Sequence, residues 1–421
     1  MHFFFAKRFL PLFVTQFLGA FNDNFFKNAL VVLITYRLAA EAGLNEGLLV
    51  PAAAAIFILP YFLFSALSGQ LADKIERTRI AKAVKIAEII LMLLASVGFY
   101  LGNVWFLLAV LFGMGVHSTF FGPIKYALLP QHLSDKELLA GNAAIEAGTF
   151  LSILLGTIAG GLMILMPNGN EWVMAILLGV AVTGFISAMK IPAAPAPEPT
   201  LTVRYNLVGE TIKLVRTARQ DKPVFRAILG ISWFWFIGAT FLAQFPPYAK
   251  ISLNADASVV TFFLTVFSIG IGVGSFLCNA LVKGTVTLRY SFWALIGISL
   301  FSFDLAFASA HPHSMGQETL VGLKTFLQYP EHWRILFDLL MVSICGGVYI
   351  VPLYTFLQHK GDTSRMARLI AANNVMNALY MVSSALLLMA LVSFHVSIPH
   401  IFLVVAVLNL VVALWTRRFS A

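Results

Sequence analysis

Twelve long apolar segments limit what this chain can fold into. Each approaches or exceeds the length of about 20 residues with which a helix crosses ~30 Å of hydrocarbon. They are residues 9–37, 49–70, 80–101, 104–127, 138–166, 172–190, 224–249, 257–282, 288–310, 333–357, 366–392 and 397–416. Only 11% of the residues are charged, whereas soluble domains carry roughly a quarter. The sequence therefore predicts an all-α membrane protein with twelve transmembrane helices and excludes a soluble enzyme.

The Lys and Arg residues between these segments indicate the orientation of the chain. With a cytoplasmic N-terminus, 23 of the 28 Lys and Arg residues fall on the cytoplasmic side. Cytoplasmic connections of membrane proteins carry such an excess, which accounts for the net charge of +9 without a nucleic-acid partner. We therefore expect both termini in the cytoplasm. No connection is long enough for a soluble catalytic domain and no P-loop sequence occurs, so we expect neither an enzyme nor a cofactor.

A polar stretch and an internal repeat divide the chain into two halves. Residues 191–223 separate an N-terminal six-helix bundle, 1–190, from a C-terminal one, 224–421. The segment "PIKYALLPQH" (123–132) is echoed by "PLYTFLQHK" (352–360), and "GNAAIEA" is echoed by "ANNVMNA". Two six-helix halves related in parallel are typical of a transporter, in which the substrate path lies between the halves near the midplane.

The polar stretch itself predicts two kinds of structure. It begins with the Pro-rich "IPAAPAPEP", which we expect to be extended. It continues with "LVGETIKLVRTARQDK", in which Leu207, Thr211, Val215 and Ala218 share one helical face. This pattern predicts an amphipathic helix, which either lies on the cytoplasmic leaflet with its cations near anionic head groups or is a solvated linker.

The first apolar segment contains charged residues at membrane depth. Gln16, Ala20, Asp23 and Lys27 recur at helical spacing and form one stripe, with Asn24 beside it. A charge inside a span costs at least about 2.5 kcal/mol, so these side chains should face a cavity or each other. The stripe predicts a polar substrate site that could bind a zwitterion. Two alternatives are an Asp23–Lys27 pair that only neutralises itself, and an Asp23 carboxylate that carries a proton.

The connection between the second and third segments predicts a gate. In "SGQLADKIERTR", we expect Gly69 to permit a tight helix exit and Asp73 to receive the N-terminus of a neighbouring helix. Arg77 and Arg79 offer guanidinium groups to carboxylates or lipid phosphates. The functional interpretation is a cytoplasmic gate latch. The alternative is that these cations only set topology, as Lys82 does.

Two further spans contain candidate residues. In "FFGPIKYALLP", we expect Gly122-Pro123 to break the fourth helix and Lys125 to lie near the cytoplasmic interface. Lys125 either snorkels to lipid phosphate or binds an anionic head group in the path. Glu146 in the fifth span is either a buried structural acid or a site acid.

Other polar residues are weaker candidates. Lys85 and Glu88 are spaced as partners that neutralise each other, and topology alone accounts for Lys85 equally well. Asp304 and Asp338 have no partner that the sequence identifies. No metal site is expected at the outward-loop histidines, which are His311, His313 and His332.

Three blocks resemble a known transporter family: "FLGAFNDNFFK", "GQLADKIERTR" and "FFGPIKYALLP". The second is similar to the signature loop of the major facilitator superfamily, except that Glu76 stands where that superfamily has its second Gly. Together the blocks resemble the lysophospholipid transporter family of that superfamily, whose transporter segment is fused in some bacteria to a glycerophospholipid acyltransferase. The resemblance implies the major facilitator fold across all twelve helices.

The resemblance also implies a function. It implies a flippase that moves lysophosphatidylethanolamine or lysophosphatidylglycerol inward across the bacterial inner membrane, for re-acylation by a fused or separate cytoplasmic acyltransferase, without obligatory ion coupling. When the site residues of the family are matched to this sequence, the resemblance implies a polar site at Asp23, Asn24 and Lys27. It implies a cytoplasmic-side cation at Lys125. One departure is that residues 227–249 of the seventh segment contain no Lys or Arg to face Asp23.

Two other functions remain open from the residues alone. A proton-coupled exporter of amphipathic small molecules would use Asp23 or Glu146 to carry protons through the same Phe-rich spans. A membrane scaffold that only docks an acyltransferase would need no charges inside its helices, and the interior charges argue against it.

Overall fold

The computed structural model describes residues 3–34, 46–282, 288–309 and 320–417, without the side chains of residues 46–51 and 363. The helices are α1 (Leu10–Leu33), α2 (Glu46–Lys74), α3 (Arg77–Leu101), α4 (Val104–His132), α5 (Asp135–Met163), α6 (Gly169–Met189), α7 (Leu207–Ala218), α8 (Lys222–Pro247), α9 (Ala257–Val282), α10 (Arg289–Ser309), α11 (Leu323–Phe326), α12 (Pro330–Lys360), α13 (Met366–Ser393) and α14 (Ile398–Arg417). A π-helical turn, Tyr248–Ser252, extends α8.

The predicted twelve-helix architecture is confirmed. Among the described residues, eleven helices are long and apolar enough to cross a membrane. Helix α1 is the twelfth, and its 24 residues span about 36 Å at 1.5 Å per residue. The predicted amphipathic helix is also present, as α7. The orientation of the termini stays a prediction, and Arg37, Lys283 and Arg418, which were counted for it, lie outside the described residues.

Local sequence explains where several helices begin and end. Gly102 has φ 61° and terminates α3, because a residue without Cβ enters the left-handed region at no steric cost. The side chain of Asn103 then accepts a hydrogen bond from Phe106 N at 3.0 Å and caps α4. A capping box of Ser134 and Glu137 begins α5. These caps permit turns of two residues between α3 and α4 and between α4 and α5.

The predicted break of the fourth helix at Gly122-Pro123 is wrong. Helix α4 continues through Pro123 to His132. A proline has no N–H and leaves the carbonyl four residues earlier without its helical donor, which here is Thr119 O. The Ser68 hydroxyl on α2 donates to that oxygen at 3.0 Å. A neighbouring helix therefore supplies the missing hydrogen bond, and the chain does not need to turn.

The second proline of α4 is accommodated in the same way. Pro130 leaves Tyr126 O without its helical donor. Gln358, near the end of α12, donates to Tyr126 O through its Nε2 atom at 2.9 Å. A long helix with two internal prolines is therefore stable because side chains from elsewhere satisfy both carbonyls.

The chain forms two compact units. Unit 1 comprises Met1–Gly141, Ser152–Arg226 and Leu357–Ala378, and unit 2 comprises Asn142–Leu151, Ala227–Phe356 and Leu379–Ala421. The division into 1–190, 191–223 and 224–421 stays a prediction about how the chain is organised.

The helices of the two units pack through different kinds of residue. In unit 1, Gly156 and Gly160 of α5 lie against α1 so closely that a methyl group would overlap the carbonyl oxygens of Phe21 and Phe25. Small residues at such positions let two membrane helices approach closely. In unit 2, the core is aromatic, with Phe241 stacked on Phe402 at a centroid distance of 5.3 Å.

Candidate functional site

The predicted polar stripe of α1 lies in unit 1 and is half-buried. Ser118 on α4 donates to Asp23 Oδ2 at 2.5 Å, whereas Asp23 Oδ1 has no hydrogen-bond partner among the described residues. Lys27 Nζ donates to Asn24 Oδ1 at 3.1 Å. Asp23 and Lys27 form no direct ion pair within the described part of the chain, and the alternative of a pair that only neutralises itself stays open. Each charge retains capacity to bind a ligand.

Residues of neighbouring helices complete the surroundings of these two charges. Tyr61 on α2 lies close to Ser118 and Asp23. The Lys27 ammonium lies 5.6 Å from the centroid of the Phe57 ring, also on α2. No sequence pattern predicted Tyr61, Ser118 or Phe57, since isolated hydroxyls and rings are common in apolar segments.

A fully buried charge cluster lies directly behind the stripe. We call Asn22, Lys85, Glu88 and His117 the Glu88 cluster. Lys85 Nζ lies 2.5 Å and His117 Nε2 lies 3.2 Å from Glu88 Oε2. Asn22 Nδ2 donates to Glu88 Oε1 at 2.9 Å. The predicted Lys85–Glu88 pair is confirmed, while the interpretation of Lys85 as a topology cation is wrong, because its side chain is 0% exposed.

The Glu88 cluster determines where the stripe faces. Asn22 precedes Asp23 on α1, and His117 precedes Ser118 on α4, so the cluster holds the backbones of both residues that form the Asp23–Ser118 contact. Gly19 makes room for the Lys85 ammonium, because a Cβ there would lie 2.6 Å from Nζ. The cluster is therefore a positioning element for the polar stripe.

Lys125 lies on the same helix as Ser118. Seven residues separate them, which corresponds to two helical turns and roughly 10 Å. Lys125 is half-buried, and its ammonium lies 4.7 Å from the centroid of the Tyr126 ring. Its ammonium can therefore bind a phosphate group about two helical turns along α4 from the Ser118–Asp23 contact.

Glu146 lies in unit 2. Its side chain is 0% exposed. One turn earlier, Asn142 donates to Thr355 Oγ1 at 3.2 Å, and one turn later Phe150 stacks on Trp235 at 6.1 Å. A role for Glu146 in substrate binding stays a prediction.

The loop predicted to form a gate belongs to a second cluster in unit 1. We call Asp73, Arg77, Glu198 and Arg368 the Asp73 cluster. Asp73 Oδ1 accepts from Arg77 Nη2 at 3.0 Å and from the backbone N–H of Ala367 at 3.2 Å, and Oδ2 accepts from Arg368 Nε at 2.8 Å. Arg368 Nη2 donates to Glu198 Oε2 at 2.7 Å.

The expectation that Asp73 receives a helix N-terminus is confirmed, because Ala367 lies in the first turn of α13. Unpaired N–H groups and the helix dipole make this end attractive to a carboxylate. Gly69 has a different role from the predicted helix exit, since α2 continues to Lys74. A Cβ at Gly69 would lie 2.9 Å from Ala371 Cβ, so this glycine permits the close approach of α13.

Arg77 and Arg79, which were predicted to act together, occupy different environments. Arg77 is 1% exposed and also donates to Ala72 O and Ala127 O, which leaves little capacity for a lipid phosphate. Arg79 is 79% exposed and pairs with Glu76 at 2.7 Å. Glu76 itself has φ −52°, so the backbone at the departing position does not require glycine.

The Pro-rich segment is extended, as predicted, and it docks on the bundle. Arg77 N donates to Ala194 O at 3.2 Å, and Glu198 N donates to Asp73 O at 2.9 Å. Helix α7 follows and contacts α2, where Thr211 Oγ1 donates to Phe62 O at 3.2 Å. Whether α7 also lies on the leaflet stays a prediction.

Of the two unassigned acids of unit 2, Asp304 has an ion-pair partner among the described residues. Arg334 on α12 forms a bidentate ion pair with Asp304 on α10, and Asp338 is buried one turn further along α12. His332 stacks on Phe326 with ring centroids 3.8 Å apart. The predictions about His311 and His313 lie outside the described residues.

Comparisons with known proteins agree with this architecture. The family model of the Major Facilitator Superfamily matches residues 12–385. The lysophospholipid transporter LplT of Cronobacter sakazakii is 25% identical over 367 residues, covering 86% of this chain and 82% of that protein. The human organic anion transporter MFSD10 (TM-score 0.75, 13% identity) covers 97% of this chain and 99% of its own. The proton:xylose symporter XylE (TM-score 0.72, 13% identity) covers 99% and 95%. These two structures are similar in fold.

Proposed function

Because the chain belongs to the major facilitator superfamily, we propose that it moves lysophospholipids across the bacterial inner membrane to the cytoplasmic leaflet, where an acyltransferase re-acylates them. The similarity to a protein named lysophospholipid transporter over 86% of the chain supports this proposal. In it the chain is a carrier with no catalytic step of its own.

The observation that carries the proposal is the pair of opposite charges on α1. Asp23 and Lys27 lie one helical turn apart, about 5.4 Å along the axis. The phosphate and ammonium of a lysophosphatidylethanolamine head group are a few ångströms apart. Asp23 Oδ1 has no hydrogen-bond partner among the described residues, and Lys27 uses only one of its three donors on Asn24. We assign the ammonium to Asp23 and the phosphate to Lys27.

The remaining candidate residues have roles along the path of the head group. Lys125 attracts the phosphate during uptake or release from roughly 10 Å along α4. The Asp73 cluster acts as the gate: Asp73 holds the N-terminus of α13 through Ala367 and Arg368. Arg368 takes the place that we expected Arg79 to fill. A substrate-binding role for Glu146 is a separate part of the proposal.

A second candidate function is a proton-coupled exporter of amphipathic small molecules. The observation in its favour is the hydrogen bond from the Ser118 hydroxyl to Asp23, with the Glu88 cluster directly behind it. Such an arrangement can pass a proton to and from a carboxylate. In that case Asp23 would titrate during each transport cycle, and the identity of the head group would matter little.

Flux measurements in proteoliposomes separate the two functions. The substrates are labelled lysophosphatidylethanolamine, whose head group carries an ammonium, and lysophosphatidylglycerol, whose head group does not. A charge-assisted hydrogen bond contributes roughly 1.5–3 kcal/mol, so Asp23→Asn should lower affinity for the ethanolamine lipid about tenfold or more, with a much smaller effect on the glycerol lipid. Lys27→Gln should weaken both.

The control is Glu171→Gln, which removes an exposed acid at the start of α6 and should leave both fluxes unchanged. Each variant is measured with and without a pH gradient. If Asp23→Asn abolishes gradient-driven transport of both lipids equally and leaves binding intact, Asp23 is a proton carrier. The exporter function then replaces the flippase function.

A further inference from the structure

A cleft separate from the α1 stripe opens beside the Asp73 cluster in unit 1. It has a volume of about 320 Å³ and lies between α2, the extended segment, α7 and the first turn of α13. Four cations contribute to its lining: Arg204, Lys213, Arg365 and Arg368. Glu210 is the only acid of the lining among the described residues, so the cleft is a basic one.

Three of the four cations of this cleft lie beyond hydrogen-bond distance from their acids. Arg204 and Lys213 share Glu210 Oε1, each at 3.9 Å. Arg365 Nε lies 3.9 Å from Glu198 and 3.7 Å from Asp362. These separations exceed hydrogen-bond length, so donors of all three cations can turn to a ligand.

The charges around the cleft match a monoanion. The four cations face three acids, namely Glu210 in the lining with Glu198 and Asp362 beside it. Asp73 and Arg77 neutralise each other nearby. The excess is one positive charge, which the single negative charge of a phosphodiester would neutralise. A carboxylate shared by two cations also leaves room for a second anion between them.

The surroundings of the cleft are apolar and suit a lipid. Ala66 of α2 and Leu214 of α7 belong to its lining. Tyr205, Val208 and Ile212 stand on the outside of the adjoining segment and α7, and they are exposed by 76%, 65% and 55%. Exposed apolar side chains next to a transmembrane helix such as α2 meet acyl chains at low cost.

We propose that this cleft binds the phosphodiester head group of an anionic phospholipid from the surrounding leaflet, through Arg204, Lys213 and Arg365. The bound lipid is a resident ligand, distinct from the transported lysophospholipid. Arg368 contributes to both the cleft and the Asp73 cluster. A lipid bound in the cleft would therefore change the contact between Asp73 and α13.

Native mass spectrometry of the full chain in detergent tests this site. Phosphatidylglycerol is the anionic probe, and phosphatidylcholine is the zwitterionic comparison. The wild-type chain should bind one phosphatidylglycerol with about tenfold or greater preference. The double substitution Arg204→Gln/Lys213→Gln should abolish most of that preference, since two charge-assisted hydrogen bonds are lost. Both residues are exposed, so folding should be unaffected.

The matched control is Arg216→Gln/Arg219→Gln, which removes the same charge from α7 and the residue that follows it, outside the cleft lining. It should retain the preference of the wild type. Equal losses in both double variants would mean that α7 only attracts anionic lipid non-specifically, and would overturn the site. Inorganic phosphate or glycerophosphoglycerol that displaces the lipid at equal concentration would show a soluble-phosphate site instead. The absence of any preference in the wild type would also refute the proposal.

Discussion

The Glu88 cluster and the Asp73 cluster use the same chemistry for different purposes. In each, a central carboxylate contacts two basic side chains within unit 1, and the Asp73 cluster contains Glu198 as a second carboxylate. The Glu88 cluster is closed, since its Lys and Glu are both 0% exposed and every member stands within α1, α3 or α4. The Asp73 cluster is open at one side, since Arg368 is 20% exposed and Glu198 is 27% exposed. Its partners also include a helix end and an extended segment.

The difference shows which charges can change partners. A buried pair whose partner is removed leaves an uncompensated charge, so it is held permanently. The Asp73 cluster can exchange partners, because Arg368 and the N–H of Ala367 both reach Asp73 from the start of α13. We therefore interpret the Glu88 cluster as fixed structure that positions the α1 stripe, and the Asp73 cluster as a contact that can open. Three substitutions test this comparison.

The largest effect should come from Lys85→Met. This substitution leaves Glu88 buried with only His117 and Asn22 as partners, and breaking such a buried pair costs about 3–5 kcal/mol. We expect a large fall in thermal stability in detergent and in the yield of folded protein. Lys85→Met/Glu88→Leu, which removes both charges, should recover most of that stability. If the double variant is no more stable than the single one, the two charges are not coupled as the geometry indicates.

Asp73→Asn should have a smaller effect on stability and a clear effect on transport. It removes the acceptor charge for Arg77 and Arg368, and hydrogen bonds to charged groups contribute roughly 1.5–3 kcal/mol. We expect flux per inserted molecule to fall about tenfold, because α13 loses its anchor at Gly69 and Asp73. Glu76→Gln, in the exposed pair with Arg79, is the control and should leave flux unchanged. Unchanged flux in Asp73→Asn would refute the role of the Asp73 cluster as a gate.

The sequence predicted the elements of this fold better than their contacts. All twelve spans and α7 were predictable, because a bilayer demands long apolar helices and an amphipathic pattern has a fixed period. The Lys85–Glu88 pair was predictable from its spacing on one helix. Arg368 was not, because it lies 295 residues from Asp73 along the chain, and nothing in a local pattern identifies a partner so distant.

One wrong prediction and one missed residue have a related cause. The break at Pro123 was inferred from a carbonyl that loses its donor, yet Ser68 on another helix supplies one. His117 was overlooked because a lone histidine in an apolar segment is compatible with simple burial. In both cases the deciding contact joins different helices, and hydropathy and spacing report only on one helix at a time.

The smallest effect should come from Arg79→Gln, and it sharpens the contrast between the two arginines of the loop. Arg79 is 79% exposed and pairs only with Glu76, and exposed pairs contribute about 0–1 kcal/mol. We expect unchanged thermal stability and unchanged flux. Arg77→Gln should instead lower stability, since Arg77 is buried and donates hydrogen bonds to the Asp73 carboxylate and to the carbonyl oxygens of Ala72 and Ala127. Unfolding temperature and lysolipid flux, measured side by side for the two variants, give the comparison. If Arg79→Gln slows flux as strongly as Asp73→Asn does, the gate extends to the exposed side of the loop and the Asp73 cluster does not act alone.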